Sequence, residues 1–358
     1  MATKGTLLRL ARHLRGFTQT KSAEKLGVAQ AVYSRMENDI VEFDDKLISK
    51  AATVFEVPVD FFDITDTVYG PPVSVHTMLR GNSQVTARDV EMITAELNIR
   101  LFHLRRFLEN VELNRTLELP RLDVEMFDSP SAIADMVRLH WQMPEGPISN
   151  LTRVLERAGI IVGYSDFHGA GVSGVTFAAP GQPPLILLNP NHPADRVRFT
   201  LAHELGHLVM HRFPTPEMES EANEFASVFL FPRKALQEAF RGRKLSLSLL
   251  AALKPEWKMS MQGILYAAQR ENIVTKNQAK YLWTQISSRG WKTREPASLD
   301  FEHDPASVLP TIIKTQIEDL GFAKSDLVKL SGIHEKEFDR LYPFDNTPSP
   351  LPRLRIIN

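Results

Sequence analysis

The chain has 358 residues, 43% hydrophobic and 24% charged, values that exclude a disordered or fibrous protein and predict two or three globular packing units. It contains no cysteine, which excludes a disulfide framework, a thiolate-ligated zinc or iron–sulfur site and a thiol nucleophile, so any metal has to be held by His and carboxylates. The formal net charge is -1, and neither an apolar leader nor a membrane-length apolar run occurs, which predicts a cytoplasmic protein without membrane contact.

The near-neutral total hides segregated signs. Residues 1–35 carry seven Lys or Arg against Glu24 alone, whereas residues 36–66 carry nine acids against Lys46 and Lys50. Residues 241–294 are basic again, eleven against two. That third segment reads either as a solvated face or as a surface for a polyanion or an acidic protein.

The first 62 residues read as short helices. Leu7, Leu10, Ala11 and Leu14 mark the first, which stops at Gly16. Thr18 is placed to N-cap a second helix, Gly27 makes the tight turn after it, and a third helix covers residues 29–37. A fourth follows over residues 44–55. Helix, short turn, helix is the arrangement that reads the major groove. On this reading Gln30, Tyr33, Ser34 and Arg35 face the bases and phosphates, while Thr18, Gln19 and Lys21 anchor phosphates at the start of the preceding helix. Such modules read paired half-sites, so the expected partner is a double-stranded DNA operator and the expected state a homodimer. Use of the same helices for protein contact is the alternative.

Tyr69, Gly70, Pro71 and Pro72 form a boundary that no helix can cross. Residues 84–119 read as one long amphipathic helix, with Val90, Ile93, Leu97, Leu101, Leu104 and Leu108 on one face, for packing or for spacing a dimer. Beyond Pro130 come helices over residues 131–141 and 148–158, and then the apolar period shortens to two. Residues 160–162, 172–177 and 185–188 are short strands; the last reads equally as an edge strand aligning an extended peptide or as a core strand. A basic helical region with Trp257, Trp283 and Trp291 in its packing, and a helical pair over residues 325–342, complete the chain. The fold class is mixed α+β and mostly helical. It divides into residues 1–66 (helix-turn-helix), 67–125 (linker and long helix), 126–240 (a central domain with a small sheet and an active-site helix) and 241–358 (basic, helical).

The chemistry sits in the helix after Pro193, where His203-Glu204-Leu205-Gly206-His207 spells H-E-x-x-H. Composition alone predicts about 0.04 matches by chance. Histidines at i and i+4 share a helix face, so both imidazoles reach one divalent ion, with Glu204 beside the open position as general base. A zinc site needs a third protein ligand. Glu219, on the edge of the stripe formed by Ala222, Phe225, Ala226 and Phe229, is the carboxylate that can face inward, and Asn223 one turn later can orient a ligand imidazole. Glu221 and Glu224 read as charged surface. His211 lies one turn beyond His207, too far along the axis to join the same ion, and reads as a supporting, substrate-side or packing residue. His168, in the loop Phe167-His168-Gly169-Ala170-Gly171, reads as an oxyanion donor or a solvated loop residue.

His203-Glu204-Leu205-Gly206-His207-Leu208-Val209-Met210-His211, followed by Glu219, Glu221-Ala222-Asn223, Phe225-Ala226 and Pro232, resembles the ImmA/IrrE family of metallopeptidases, and residues 18–38 resemble the XRE (Cro/cI-like) helix-turn-helix. The resemblance implies a reduced, thermolysin-like zincin core with His203, His207 and Glu219 on Zn2+, Glu204 as catalytic base and Asn223 behind a ligand. It implies a DNA-binding transcriptional regulator that hydrolyses a peptide bond in a protein partner such as a repressor. The competing reading is a transcription factor or antitoxin-like regulator whose zincin domain is a metal-binding sensor or scaffold without proteolysis.

Overall fold

The computed structural model describes residues 1–74, 85–342 and 354–356. Four helices open the chain: α1 (Lys4–Leu14), α2 (Gln19–Leu26), α3 (Gln30–Glu37) and α4 (Asp45–Phe55). Their ends follow from local chemistry. The Thr18 hydroxyl accepts the Lys21 amide at α2, the Asp44 carboxylate accepts the Leu47 amide at α4, and Gly27 closes α2 in the left-handed region, where a side chain is strained. Leu7, Ala23, Leu26, Tyr33, Phe55 and Phe61 form the core between them.

The next helix, α5 (Ala87–Phe107), opens on a Thr86–Asp89 capping box. It is shorter than the expected 84–119 helix; residue 84 itself lies outside the described residues. Beyond Phe107, Val111 and Leu113 alternate with Glu112, a period of two, and form strand β1 (Val111–Leu113), paired antiparallel with Leu354–Ile356. α5 is a buried spine rather than a surface rod, with Ile93, Leu97, Leu101, Phe102 and Phe107 enclosed.

Helices α6 (Pro130–His140) and α7 (Leu151–Arg157) lead into a small sheet of β2 (Ile161–Tyr164), β3 (Gly174–Phe177) and β4 (Leu185–Leu188). The spatial order is β2-β4-β3, with β2 parallel and β3 antiparallel to β4. Residues 185–188 are therefore the central strand, as their unbroken apolar run suits, and the reading of them as an edge strand is corrected: β2 and β3 hold the edges.

From the sheet the chain enters α8 (Ala194–Met210), against which α9 (Met218–Leu230) packs. The two helices approach closely at Gly206, where an added Cβ would stand 3.1 Å from the Phe225 ring and 3.4 Å from the Ala222 Cα. Helices α10 (Arg233–Phe240), α11 (Leu247–Trp257), α12 (Met261–Arg270) and α13 (Lys276–Ser288) complete this core, with Trp257 stacked on Phe231 at 3.7 Å between centroids. Buried ions fix the start of α8: Lys254 bridges Asp195 and Glu295, and Arg198 pairs with Asp304, which also takes Lys258 at 3.1 Å.

The last helices, α14 (Val308–Glu318), α15 (Lys324–Ser331) and α16 (Glu335–Leu341), turn back and join the core of the N-terminal helices and α5 through Ile312, Leu327, Phe338 and Tyr342. The residues beyond 240 thus serve two cores. Among the described residues, no helix is long and apolar enough to cross a membrane.

Candidate metal centre

α8 places His203 and His207 one turn apart on the face turned toward α9, and α9 brings Glu219 opposite them. His207 Nε2 lies 3.3 Å from Glu219 Oε1, His203 Nε2 lies 3.5 Å from Glu219 Oε2, and the two Nε2 atoms are 3.0 Å apart. One ligand atom from each of these three residues lies within 4.8 Å of the others. Two imidazoles and one carboxylate converging in this way are the donor set of a zinc site that keeps its fourth position open. Glu204 is buried beside them, and among the described residues its Oε2 has no hydrogen-bond partner. A buried carboxylate oxygen without a donor is costly unless something outside the protein chain, such as a water, supplies the proton. The residues fit a catalytic metal with its water.

Hydrogen bonds behind the ligands set their tautomers. His203 Nδ1 is 3.1 Å from Asn223 Oδ1; the amide oxygen can only accept, so Nδ1 carries the proton and Nε2 keeps its lone pair for the metal. His207 is set by a longer relay. Its Nδ1 is 2.9 Å from His211 Nδ1, and His211 Nε2 is 2.9 Å from Glu221 Oε2. The carboxylate accepts a hydrogen bond from His211 Nε2–H, which leaves His211 Nδ1 to accept from His207. Burial, with His207 adding to it, lowers the His211 pKa to about 3, so the ring stays neutral and able to accept. The structure therefore corrects the reading of Glu221 as mere surface charge. Glu224, also expected on the surface, accepts the Ser131 amide and hydroxyl at 3.1 and 2.6 Å. His168 stays exposed in its loop and turns toward Glu96, 3.4 Å away, whose buried carboxylate also accepts from Arg100 and Ser165.

A cleft of about 430 Å³ opens beside His207 and His211. Thr176 and Phe177 of β3 form one wall and residues 69–74 another, with Arg121 and Arg212 at its margins. None of these wall residues was legible as a site, because no sequence period links residues a hundred positions apart.

In the N-terminal unit, Thr18, Lys21, Gln30 and Arg35 are exposed, and Gln19 and Ser34 partly so. Tyr33 is a correction: its side chain is fully buried in the helical core and cannot reach DNA, because α3 turns that position toward α1 and α2. A chain of polar contacts runs from the interior to the surface. Arg12 grips Glu37 through two bonds of 2.6 and 3.2 Å, Gln19 Nε2 donates to Glu37 at 2.7 Å, and Gln30 Nε2 donates to Gln19 at 3.0 Å. The orientation of Gln30 is thus tied to a buried ion pair.

Comparison with known families gives two matches. Residues 155–269 match the IrrE N-terminal-like domain, a span that contains His203, Glu204, His207 and Glu219. Residues 8–62 match the helix-turn-helix family. No curated protein matches the chain.

Proposed function

We propose that this chain, which joins a helix-turn-helix domain to an IrrE N-terminal-like domain, is a DNA-binding regulator whose second domain is a zinc endopeptidase acting on a protein partner. The observation that carries the reading is the convergence of His203, His207 and Glu219 beside the buried, unpartnered Glu204 Oε2. His203, His207 and Glu219 would hold the ion, which would supply Lewis-acid chemistry, activating a water and polarising the scissile carbonyl. Glu204 would be the base that accepts a proton from the attacking water and returns it to the leaving amine. No nucleophilic side chain is required, in keeping with a chain that has no cysteine. Asn223 and the His211–Glu221 pair hold the two imidazoles with Nε2 forward.

Gln30 and Arg35 are the base- and phosphate-facing candidates, with Thr18, Gln19, Lys21 and Ser34 around them. A homodimer in the cytoplasm on a two-fold operator suits such a module. The test is to incubate the full chain and Glu204→Gln with zinc and a panel of co-encoded repressors, reading bound metal and peptide fragments by mass spectrometry. Cleavage by the unaltered chain alone is the expected result. Stoichiometric zinc with no cleavage would favour the metal-sensor reading, and no metal would overturn the centre.

A further inference from the structure

Among the described residues, β3 is hydrogen-bonded to β4 on one side only, so its other edge can pair with an extended peptide next to His207. That edge is already in use. The Ser74 hydroxyl accepts the Thr176 amide at 3.2 Å and donates to the Thr176 carbonyl at 3.3 Å, taking both outward-facing backbone groups of the residue at mid-strand. Five residues earlier, Tyr69 is fastened at both backbone groups by the fully buried Asn98: its amide donates to Oδ1 at 2.7 Å and its carbonyl accepts from Nδ2 at 2.9 Å. The Tyr69 ring meets Phe177 edge-on at 5.6 Å. Tyr69-Gly70-Pro71-Pro72-Val73-Ser74 therefore spans the wall of the cleft that holds His207 and His211.

We infer that the β3 edge of this cleft is a peptide-binding site covered by the chain's own residues 69–74, and that a substrate engages it as an extended segment displacing this internal strap. The inference rests on the peptidase reading above and adds its regulation. The chemistry of the strap favours a hold that can be released. Pro71 and Pro72 have no amide hydrogen and cannot build a strand ladder along β3, so the segment is fixed at its two ends. An extended peptide with amides throughout can make more backbone bonds to the same edge. Because the strap follows directly on the N-terminal helices, clearing the cleft moves the segment through which the helix-turn-helix domain continues into the rest of the chain.

The test uses the full chain in a Glu204→Gln background, with a fluorescein-labelled peptide of residues 67–74 as probe and anisotropy as readout. A strap closed about nine-tenths of the time weakens apparent affinity about ten-fold. Loosening it by Tyr69→Ala with Ser74→Ala is expected to tighten probe binding by about that factor, with Ser74→Thr, which keeps the hydroxyl, close to the unaltered chain. If the double variant loses its fold, Ser74→Ala alone is expected to change affinity in the same direction and to speed amide exchange at Thr176. Equal affinity with strap intact and loosened overturns the inference, as does no binding to either. Zinc uptake measured on the same proteins separates the two ideas. Uptake without a strap effect leaves the metal centre standing, and a strap effect without uptake leaves the peptide cleft standing and removes the peptidase reading.

Discussion

His207 Nδ1 lies 2.9 Å from His211 Nδ1, so one ring donates and the other accepts, and Glu221 decides which. By holding the far nitrogen of His211 protonated, the carboxylate makes His211 the acceptor and leaves His207 Nε2 free to bind metal. Removing such a support costs about 10- to 100-fold in metal affinity. His211→Ala and Glu221→Gln are each expected to fall in that range in a competitive zinc titration, with the circular-dichroism spectrum retained. Unchanged affinity in both would mean that the relay does not orient the ligand.

The close approach of α8 and α9 at Gly206 brings Glu219 to the histidines. An added Cβ there presses on the buried Phe225 ring, and a branched side chain has to push the helices apart or fill space that is not there. Gly206→Val is expected to destabilise the domain by about 1–3 kcal/mol and to weaken zinc binding more than Gly206→Ala does. Thermal melts with and without zinc check both effects.

Arg12 and Glu37 form a buried bidentate pair, and breaking such a pair from one side costs about 3–5 kcal/mol because the remaining charge is left buried. Arg12→Met is accordingly expected to unfold the helix-turn-helix domain or to melt it first. Gln30→Ala keeps the pair and the fold. Its expected effect is a loss of about 1–3 kcal/mol of base discrimination, read by titrating the chain against operator variants at fixed salt.

Acid is expected to unfold the protein in two stages. Burial, reinforced by Arg100 and Arg106, lowers the pKa of His103 to about 3, and burial with Arg12 lowers that of His13 to about 4. Both rings are neutral when folded, whereas the unfolded chain takes up protons near pH 6.5, so stability falls as pH drops below about 6.5. Glu96 adds a second stage. Burial alone would raise its pKa, but His168, Arg100 and Arg340 outweigh it and hold it at about 2. Its contribution is present above the ordinary carboxylate value and is lost as pH falls from about 4.5 toward 2. Urea unfolding at pH 7, 5 and 3.5 checks the order: His103→Gln is expected to flatten the first stage, and Glu96→Gln the second. Stability that rises from pH 7 to 5 would contradict the account.

Periodicity and capping are local, and both are legible in the chain before it folds. Thr18 and Gly27 bound α2 from their own backbone chemistry, and the four-residue spacing of His203 and His207 puts both on one face of any helix. The Ala222–Phe225–Ala226–Phe229 stripe points to Glu219 because a helix has a single period. The remaining features depend on segments distant in sequence. Which face of α3 packs inward decided that Tyr33 is core. The order of three short apolar strands put β4 in the centre, since an unbroken apolar run marks burial but not neighbours. The return of residues 308–342 to the N-terminal core, the His211–Glu221 relay across two helices and the grip of Ser74 on Thr176 each join residues that no shared period connects. Side chains far apart along the chain meet only when the burial of whole elements brings their faces together, and that choice is made by the packed molecule rather than by any window of its sequence.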